Sequence, residues 1–341
     1  RLKFVGRAGV GVDNIDVGAA SKKGIVVANV PGGNTISAAE HSLALLLALA
    51  RNIPRSDVSV RAGEWKREKF VGSELLGKSL GLLGFGRIGK EVGKRALAFG
   101  MKVSAYDPFV SESHMKSFGI QCASIDDILK NSDYISLHLP LNDQTRKIIN
   151  ADTLSKMKPD CRLINCARGE LVDEPALAAA LKAKQIKGAA LDVYTKEPPA
   201  NPELFALDNV ILTPHLGAST EEAQIKVAVE LASALKDFFE KGLIRNAVNL
   251  PSVDLETLER ITPYVELAEK MGKFVSRVTQ GGIREVKVEF AGEFSSTMRS
   301  YLTISAVKGL LATAMGESEI NWVNALPIAR ERGITIEEAA L

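Results

Sequence analysis

Three short segments of this chain carry a cation, a carboxylate and an imidazole. They are Asn165-Cys166-Ala167-Arg168-Gly169, Asp192-Val193-Tyr194-Thr195-Lys196-Glu197-Pro198-Pro199 and Thr213-Pro214-His215-Leu216-Gly217-Ala218-Ser219-Thr220. Each follows a short apolar run, so all three fall at the sheet edge where α/β proteins bind ligands. Together they suit oxidation of a 2-hydroxy acid. His215 can take the hydroxyl proton as hydride leaves C2, because imidazole titrates near neutrality. Glu197 can stabilise the imidazolium. Arg168 can hold the substrate carboxylate and polarise the developing carbonyl. Taken singly, each has an ordinary explanation: a structural arginine, a loop glutamate, a capping histidine. Their joint appearance downstream of a dinucleotide turn favours the chemistry.

That turn is Gly84-Phe85-Gly86-Arg87-Ile88-Gly89. The pattern alone is a weak signal, but its context strengthens it. It follows a strand, opens a helix, and precedes a second strand that ends in Asp107, 23 residues after Gly84, near the expected ~20. Gly84 permits the tight turn, Gly86 lets backbone approach a pyrophosphate, and Gly89 lets helix and strand pack closely. Amides at the helix start face the phosphates and Arg87 adds charge beside them. Asp107 can accept from the adenosine ribose hydroxyls and repel a 2′-phosphate. Pro108-Phe109 supplies no compensating arginine, so the expected cofactor is NAD rather than NADP.

The elements that position these groups alternate. Strands are expected at 79–83, 102–106, 134–137, 162–165, 188–192 and 210–213, and helices at 87–99, 124–131, near 151–157 and at 174–183. Short buried strands alternating with helices predict a doubly wound parallel sheet of the Rossmann type over 33–218. Residues 1–32 read strand, turn, helix, strand, and with 219–250, a long amphipathic helix then a strand at 246–251, they form part of a flavodoxin-like second domain. Ser37-Ala38-Ala39-Glu40 reads as a capping box before an apolar helix to about Arg51. Residues 54–77, with Trp65 among basic residues, read as a surface arm. Residues 252–341 read as a separate α+β domain, incomplete at its end, with 255–279 helical, 286–290 a strand, and 334–341 a helix.

Hydrophobic residues at 46% and charged residues at 25% are ordinary globular composition. A net charge of +2 gives no electrostatic grip on nucleic acid or anionic membrane. The longest apolar candidate, Leu43 to Ala50, is too short to span a bilayer. Cys122, Cys161 and Cys166 have no CxxC spacing, which favours a reducing compartment, cytoplasm or plastid stroma, over a disulfide scaffold. With four scattered His they suggest no metal site. Arg1 starts within a strand pattern, so further residues are expected upstream.

The segments 165–174, 192–199 and 214–220 resemble the signatures of the D-isomer-specific 2-hydroxyacid dehydrogenases. Arg7-Ala8-Gly9-Val10-Gly11-Val12-Asp13-Asn14, Asn34-Thr35-Ile36-Ser37-Ala38-Ala39-Glu40-His41 and His215-Leu216-Gly217-Ala218-Ser219-Thr220 are most similar to the branch that oxidises 3-phospho-D-glycerate. Residues 252–341 resemble, less sharply, the intervening domain of that branch's long form. The resemblance implies NAD-dependent formation of 3-phosphohydroxypyruvate, the first step of phosphorylated L-serine synthesis, in a homodimer or homotetramer. It supports the roles given to Arg168, Glu197 and His215. Around the cofactor it adds Val10, Arg87, Ile88, Asp107, Leu139, Cys166, Ala167, Arg168, Asp192, His215, Leu216, Gly217 and Ala218. Positions 10 and 139 depart from the threonine found in relatives, so contacts there run through backbone or apolar atoms. Arg7 and Asn34 match substrate-side positions, and Lys69 is a candidate for reaching a neighbouring subunit's substrate. The resemblance also implies about 60–70 upstream residues, including basic residues for the substrate phosphate, and a C-terminal ACT domain. Alternatives are a hydroxypyruvate, glyoxylate or D-lactate dehydrogenase of the same family, or an NAD-sensing corepressor on the same scaffold.

Overall fold

Apolar runs too short to be buried helices, spaced by amphipathic ones, are satisfied by strands covered on both faces. The computed structural model describes residues 2–251 and 255–340. They fall into two compact units, Asn34–Ala223 and Arg1–Gly33 with Gln224–Leu341.

The second unit begins the chain, with β1 (Phe4–Gly6), α1 (Val17–Lys22) and β2 (Val26–Ala28), the two strands parallel. The first unit then runs α2 (Thr35–Arg51), α3 (Ile53–Arg61), β3 (Ser79–Leu83), α4 (Arg87–Ala98), β4 (Lys102–Tyr106), α5 (Glu112–Ser117), β5 (Gln121–Cys122), α6 (Ile125–Asn131), β6 (Tyr134–Leu137), α7 (Ala151–Ser155), β7 (Arg162–Asn165), α8 (Glu174–Lys182), β8 (Gly188–Leu191), α9 (Pro202–Phe205) and β9 (Val210–Leu212). Its seven strands are all parallel in the order β5-β4-β3-β6-β7-β8-β9. The order reverses between β3 and β6, which opens a crevice at their carboxyl ends. Every residue of β6, β7 and β8 is buried. Leu83, Ile135, Leu163 and Ala189 face one helical layer, and Leu80, Leu82, Tyr134 and Ile164 the other.

Helix α10 (Glu221–Lys241) leads out of this unit, and α11 (Leu255–Val278), β10 (Glu285–Phe290), α12 (Ser296–Met315), α13 (Ala325–Glu331) and β11 (Thr335–Ala340) follow. Phe4, Val26, Ala28 and Leu250 share one core with Ile304, Val307, Leu311 and Val323. The segments read from sequence as a partial substrate domain are therefore packed together with α12 and α13. The expected domain boundary at 252 lies outside the described residues.

Several expectations are corrected. Ser37 does not cap a helix: α2 already starts at Thr35, and the Ser37 hydroxyl donates to the Gly217 carbonyl at 2.9 Å. The first third of the expected arm belongs to α3, started by left-handed Asn52 (φ 55°) with Pro54 in its first turn, an arrangement that proline's fixed φ favours. Helices α5 and α9 and the short β5 went unread. Of the strand expected at 246–251, one antiparallel bridge, Ala28 to Ala247, is present. The Asn249 side chain takes over the rest of the pairing, accepting from Val27 N–H (2.9 Å) and donating to Ile25 carbonyl (2.9 Å). The expected C-terminal helix is strand β11, parallel to β10. Glu337 to Ala340 favour a helix by propensity, and strand pairing overrides that preference.

Candidate active site

The glycine turn leaves β3 at the strand-order reversal. Gly84 has φ +101°, and a Cβ there would lie 2.6 Å from the His138 carbonyl. A side chain at Gly89 would meet the Gly84 carbonyl at 2.3 Å. Gly86 is the opposite case: a Cβ there would meet nothing within 4 Å. It sits at the start of α4 with no side chain capping the helix amides. An open glycine over uncapped helix amides is the cradle a pyrophosphate requires, so these residues fit a dinucleotide. Arg87 is exposed beside it, Ile88 half-buried, and Leu139 buried next to Gly84. Asp107 closes β4, where one oxygen accepts from Phe85 N–H and the other from Phe109 N–H, both at 2.9 Å. It thus pins the glycine turn. His138, hydrogen-bonded to the Ser136 hydroxyl at 2.9 Å, has its pKa pushed down to about 4 by burial.

Arg168 is set by the turn after β7. Buried Asn165 donates to the Arg168 carbonyl (2.9 Å) and accepts from Ala167 N–H (3.0 Å). Gly169 then runs against the backbone of Tyr194, where a Cβ would fall 1.9 Å from the carbonyl carbon. That close approach brings the turn after β7 against the turn after β8. Tyr194 ties on the third segment, its hydroxyl donating to the Thr213 carbonyl at 2.9 Å. The half-exposed Glu197 accepts from Tyr194 N–H through Oε1 (3.2 Å) and meets His215 Nδ1 through Oε2 (2.8 Å). A carboxylate acceptor at Nδ1 calls for a proton there and leaves Nε2 as the ring nitrogen not engaged by Glu197. Arg168 is half-buried and also donates to the Ala167 carbonyl at 2.6 Å.

His215 stands in the left-handed region at φ 56°, where a non-glycine residue is held only by its surroundings. Fully buried Asp192 supplies them. It accepts from the Thr213 hydroxyl (2.6 Å), Leu216 N–H (2.8 Å) and Gly217 N–H (2.8 Å), with His41 Nε2 at 3.1 Å. Burial alone pushes this carboxyl upward, but the bonds from His41, Thr213 and Leu216 outweigh it and hold Asp192 below the usual carboxylate range. Cys166 lies close by, its thiol pushed up to about 12 by burial. The ligand atoms of His41, Cys166 and Asp192 lie within 4.8 Å of one another, a clustering the sequence spacing hides. The protonated thiol and the fully engaged carboxylate mark it as a hydrogen-bonded support.

Gly217 is buried and Ala218 half-buried on the same loop. Asn34, at the start of α2, has a buried Oδ1 without a hydrogen-bond partner. Arg7 and Val10 belong to the other compact unit, where Val10 carbonyl accepts from Asn29. Lys69 is exposed and lines a surface cavity of about 270 Å³ with Arg55, Arg162 and Asp208. That lining includes none of Arg168, Glu197 and His215. Sequence reasoning missed Ser37, His41, Asn165, Gly169 and Tyr194 as supports. The one available signal was a polar side chain inside an apolar run, as at His41 and Asn165.

Residues 43–217 match the NAD-binding domain of the D-isomer-specific 2-hydroxyacid dehydrogenases. This chain belongs to that family. Residues 260–340 match the intervening domain of D-3-phosphoglycerate dehydrogenases. A D-3-phosphoglycerate dehydrogenase of Archaeoglobus fulgidus is 50% identical over 341 residues, covering 99% of this chain and 64% of that protein. One from Synechocystis is 47% identical over 339 residues, covering 99% and 61%. The chain thus spans less than two thirds of these relatives' length. A solved D-lactate dehydrogenase of Aquifex aeolicus, complexed with NAD and lactic acid, superposes with a TM-score of 0.66 at 35% identity, covering 74% of this chain and 81% of that one. The match of residues 43–217 to the family's NAD-binding domain agrees with the cofactor read from Asp107. Among the described residues no helix is long and apolar enough to cross a membrane.

Proposed function

We propose that the chain is the dehydrogenase part of an enzyme that oxidises 3-phospho-D-glycerate to 3-phosphohydroxypyruvate, opening phosphorylated L-serine synthesis. The observation that carries the chemistry is the 2.8 Å pair of Glu197 and His215 Nδ1, which leaves Nε2 for the substrate hydroxyl. The intervening-domain match over 260–340 favours the phosphorylated substrate over lactate or glyoxylate, and over a corepressor role.

Bound NAD supplies the hydride acceptor. His215 Nε2 takes the C2 hydroxyl proton as the carbonyl forms, and Glu197 stabilises the imidazolium. Arg168 fixes the substrate carboxylate and stabilises charge growing on the carbonyl oxygen. Gly84, Gly86, Arg87, Ile88 and Gly89 receive the pyrophosphate and Asp107 the ribose. The family resemblance assigns Leu139, Cys166, Ala167, Asp192, Gly217 and Ala218 to the cofactor as well, and Val10 through backbone or apolar atoms. The family resemblance assigns Arg7 and Asn34 to substrate binding, and the buried Asn34 Oδ1 has no hydrogen-bond partner of its own. The working unit is a homo-oligomer in a reducing compartment, in keeping with three unpaired cysteines.

The test is NADH oxidation by the protein carrying this chain, with 3-phosphohydroxypyruvate against hydroxypyruvate, glyoxylate and pyruvate. The expected kcat/KM favours the phosphorylated keto acid by more than about tenfold, the range one well-placed charged contact gives. Equal or greater activity on an unphosphorylated acid overturns the reading.

A further inference from the structure

Residues 195–200 carry Glu197, and little holds them. Five of the six are exposed and Pro199 is half-buried, so packing does not fix their course. Just before them, buried Tyr194 is anchored through its hydroxyl on the Thr213 carbonyl (2.9 Å). Among the described residues, one hydrogen bond ties the backbone of 195–200 to another segment: Thr195 N–H donates to Glu174 Oε1 at 2.6 Å. That is short for a backbone amide donor, as befits a carboxylate acceptor. Glu174 opens α8, yet its own helix is capped without it, because Asp173 accepts from Ala176 N–H at 3.4 Å. The half-buried Glu174 side chain instead reaches to the turn after β8. Gly169 meets the same peptide, and a Cβ there would collide with the Thr195 nitrogen. The Gly169 backbone limits how close the turn comes, and Glu174 supplies the attraction.

The neighbouring amide, Tyr194 N–H, goes to Glu197 Oε1 (3.2 Å), and Glu197 Oε2 meets His215 Nδ1 (2.8 Å). Two successive amides thus serve two carboxylates, and the first carboxylate sets the peptide from which the second is aimed. We infer that Glu174 is a positioning residue for the reaction: it holds the Thr195 peptide so that Glu197 faces His215. The inference rests on the acid–base reading of the Glu197–His215 pair given above. Without Glu174 the Thr195 N–H loses its acceptor and the exposed segment loses its one backbone tie, so Glu197 has no fixed direction. Arg168 stays in place, because its turn is held by Asn165. The glycine turn at 84–89 leaves a different strand and makes no bond to this segment. The effect is therefore selective. Proton transfer suffers, whereas binding of the keto acid and of NADH does not.

Steady-state kinetics of the protein carrying this chain, with whichever 2-keto acid it reduces fastest, provide the test. Glu174→Ala is expected to lower kcat by about 10–100-fold, the scale of a misaligned catalytic group. KM for the keto acid and the NADH dissociation constant should stay within about twofold of wild type, since neither contact is touched. Glu174→Gln keeps an acceptor oxygen at the same reach and should recover most of the lost rate. Glu197→Ala supplies the second arm. If Glu174 acts through Glu197, adding Glu174→Ala to Glu197→Ala lowers kcat no further, because both changes remove the same interaction. Losses that multiply, no recovery in Glu174→Gln, or NADH affinity that falls in step with kcat would give Glu174 a general structural part and overturn the inference. Wild-type kcat in Glu174→Ala beside an impaired Glu197→Ala overturns it as well, and leaves the acid–base reading standing. Full activity of Glu197→Ala refutes that reading itself, and the inference with it.

Discussion

Replacing Asp192 by asparagine tests whether the loop that carries His215 is held in the way described. The carboxylate accepts from Thr213, Leu216 and Gly217 and pairs with His41 while wholly buried. Asparagine keeps one acceptor oxygen. Turned one way its amino group faces Gly217 N–H; turned the other it faces Leu216 N–H and the Thr213 hydroxyl. Either way a buried backbone donor loses its acceptor. A hydrogen bond to a charged group contributes about 1.5–3 kcal/mol, and an unsatisfied buried donor costs about 1–3 kcal/mol. Removing a buried charge returns part of this, so the expected loss is about 2–4 kcal/mol. For a unit of this size that lowers Tm by roughly 5–12 °C. The pH dependence has a definite sign. The native carboxyl is held below its unfolded value, so its contribution is complete above about pH 4 and falls away as the solution is made more acidic. The gap between wild type and Asp192→Asn should narrow there. Urea denaturation at several pH values measures both effects, with NADH fluorescence titration reporting the cofactor side. A variant within about 0.5 kcal/mol of wild type at neutral pH would refute the loop argument.

Three further outcomes are expected. His215→Asn should lower kcat by about 10²–10⁴, the range of general acid–base catalysis, while NADH binds as before; retained turnover removes His215 from the chemistry. Gly169→Ala drives a methyl group into the Tyr194 carbonyl and should cost about 2–4 kcal/mol of stability by overpacking, measured by thermal unfolding, and a neutral result would show that the two turns do not meet. His138 is held neutral with a folded pKa of about 4 against about 6.5 unfolded. Its contribution is therefore full above pH 6.5 and lost as pH falls toward 4, by up to about 3 kcal/mol. His138→Gln should flatten the stability profile across that window, and an unchanged slope would assign the acid sensitivity elsewhere.

Legibility followed sequence distance. The glycine turn, the helix after it and the aspartate after the next strand are neighbours in the chain, and their spacing alone carries the geometry. The strands of the parallel sheet were readable because burial on both faces demands uninterrupted apolar runs. Element ends competing with local chemistry were less readable. Ser37 has the residue types of a cap, yet its hydroxyl reaches Gly217, 180 residues away. The stretch Thr335–Ala340 has helical propensity in its second half, yet pairs with β10.

Residue types and their order determined the chemistry available to this protein: a dinucleotide turn, an acid suited to NAD, and one arginine, one glutamate and one histidine after successive strands. Tertiary structure alone decided how those three are aimed. His215 holds a left-handed backbone because Asp192 gathers Thr213, Leu216, Gly217 and His41 around one buried charge. His41 meets Thr213 across 172 residues. No local pattern records such an encounter, because its hydrogen bonds exist only once α2, β8 and β9 have packed into one sheet and its covering layer.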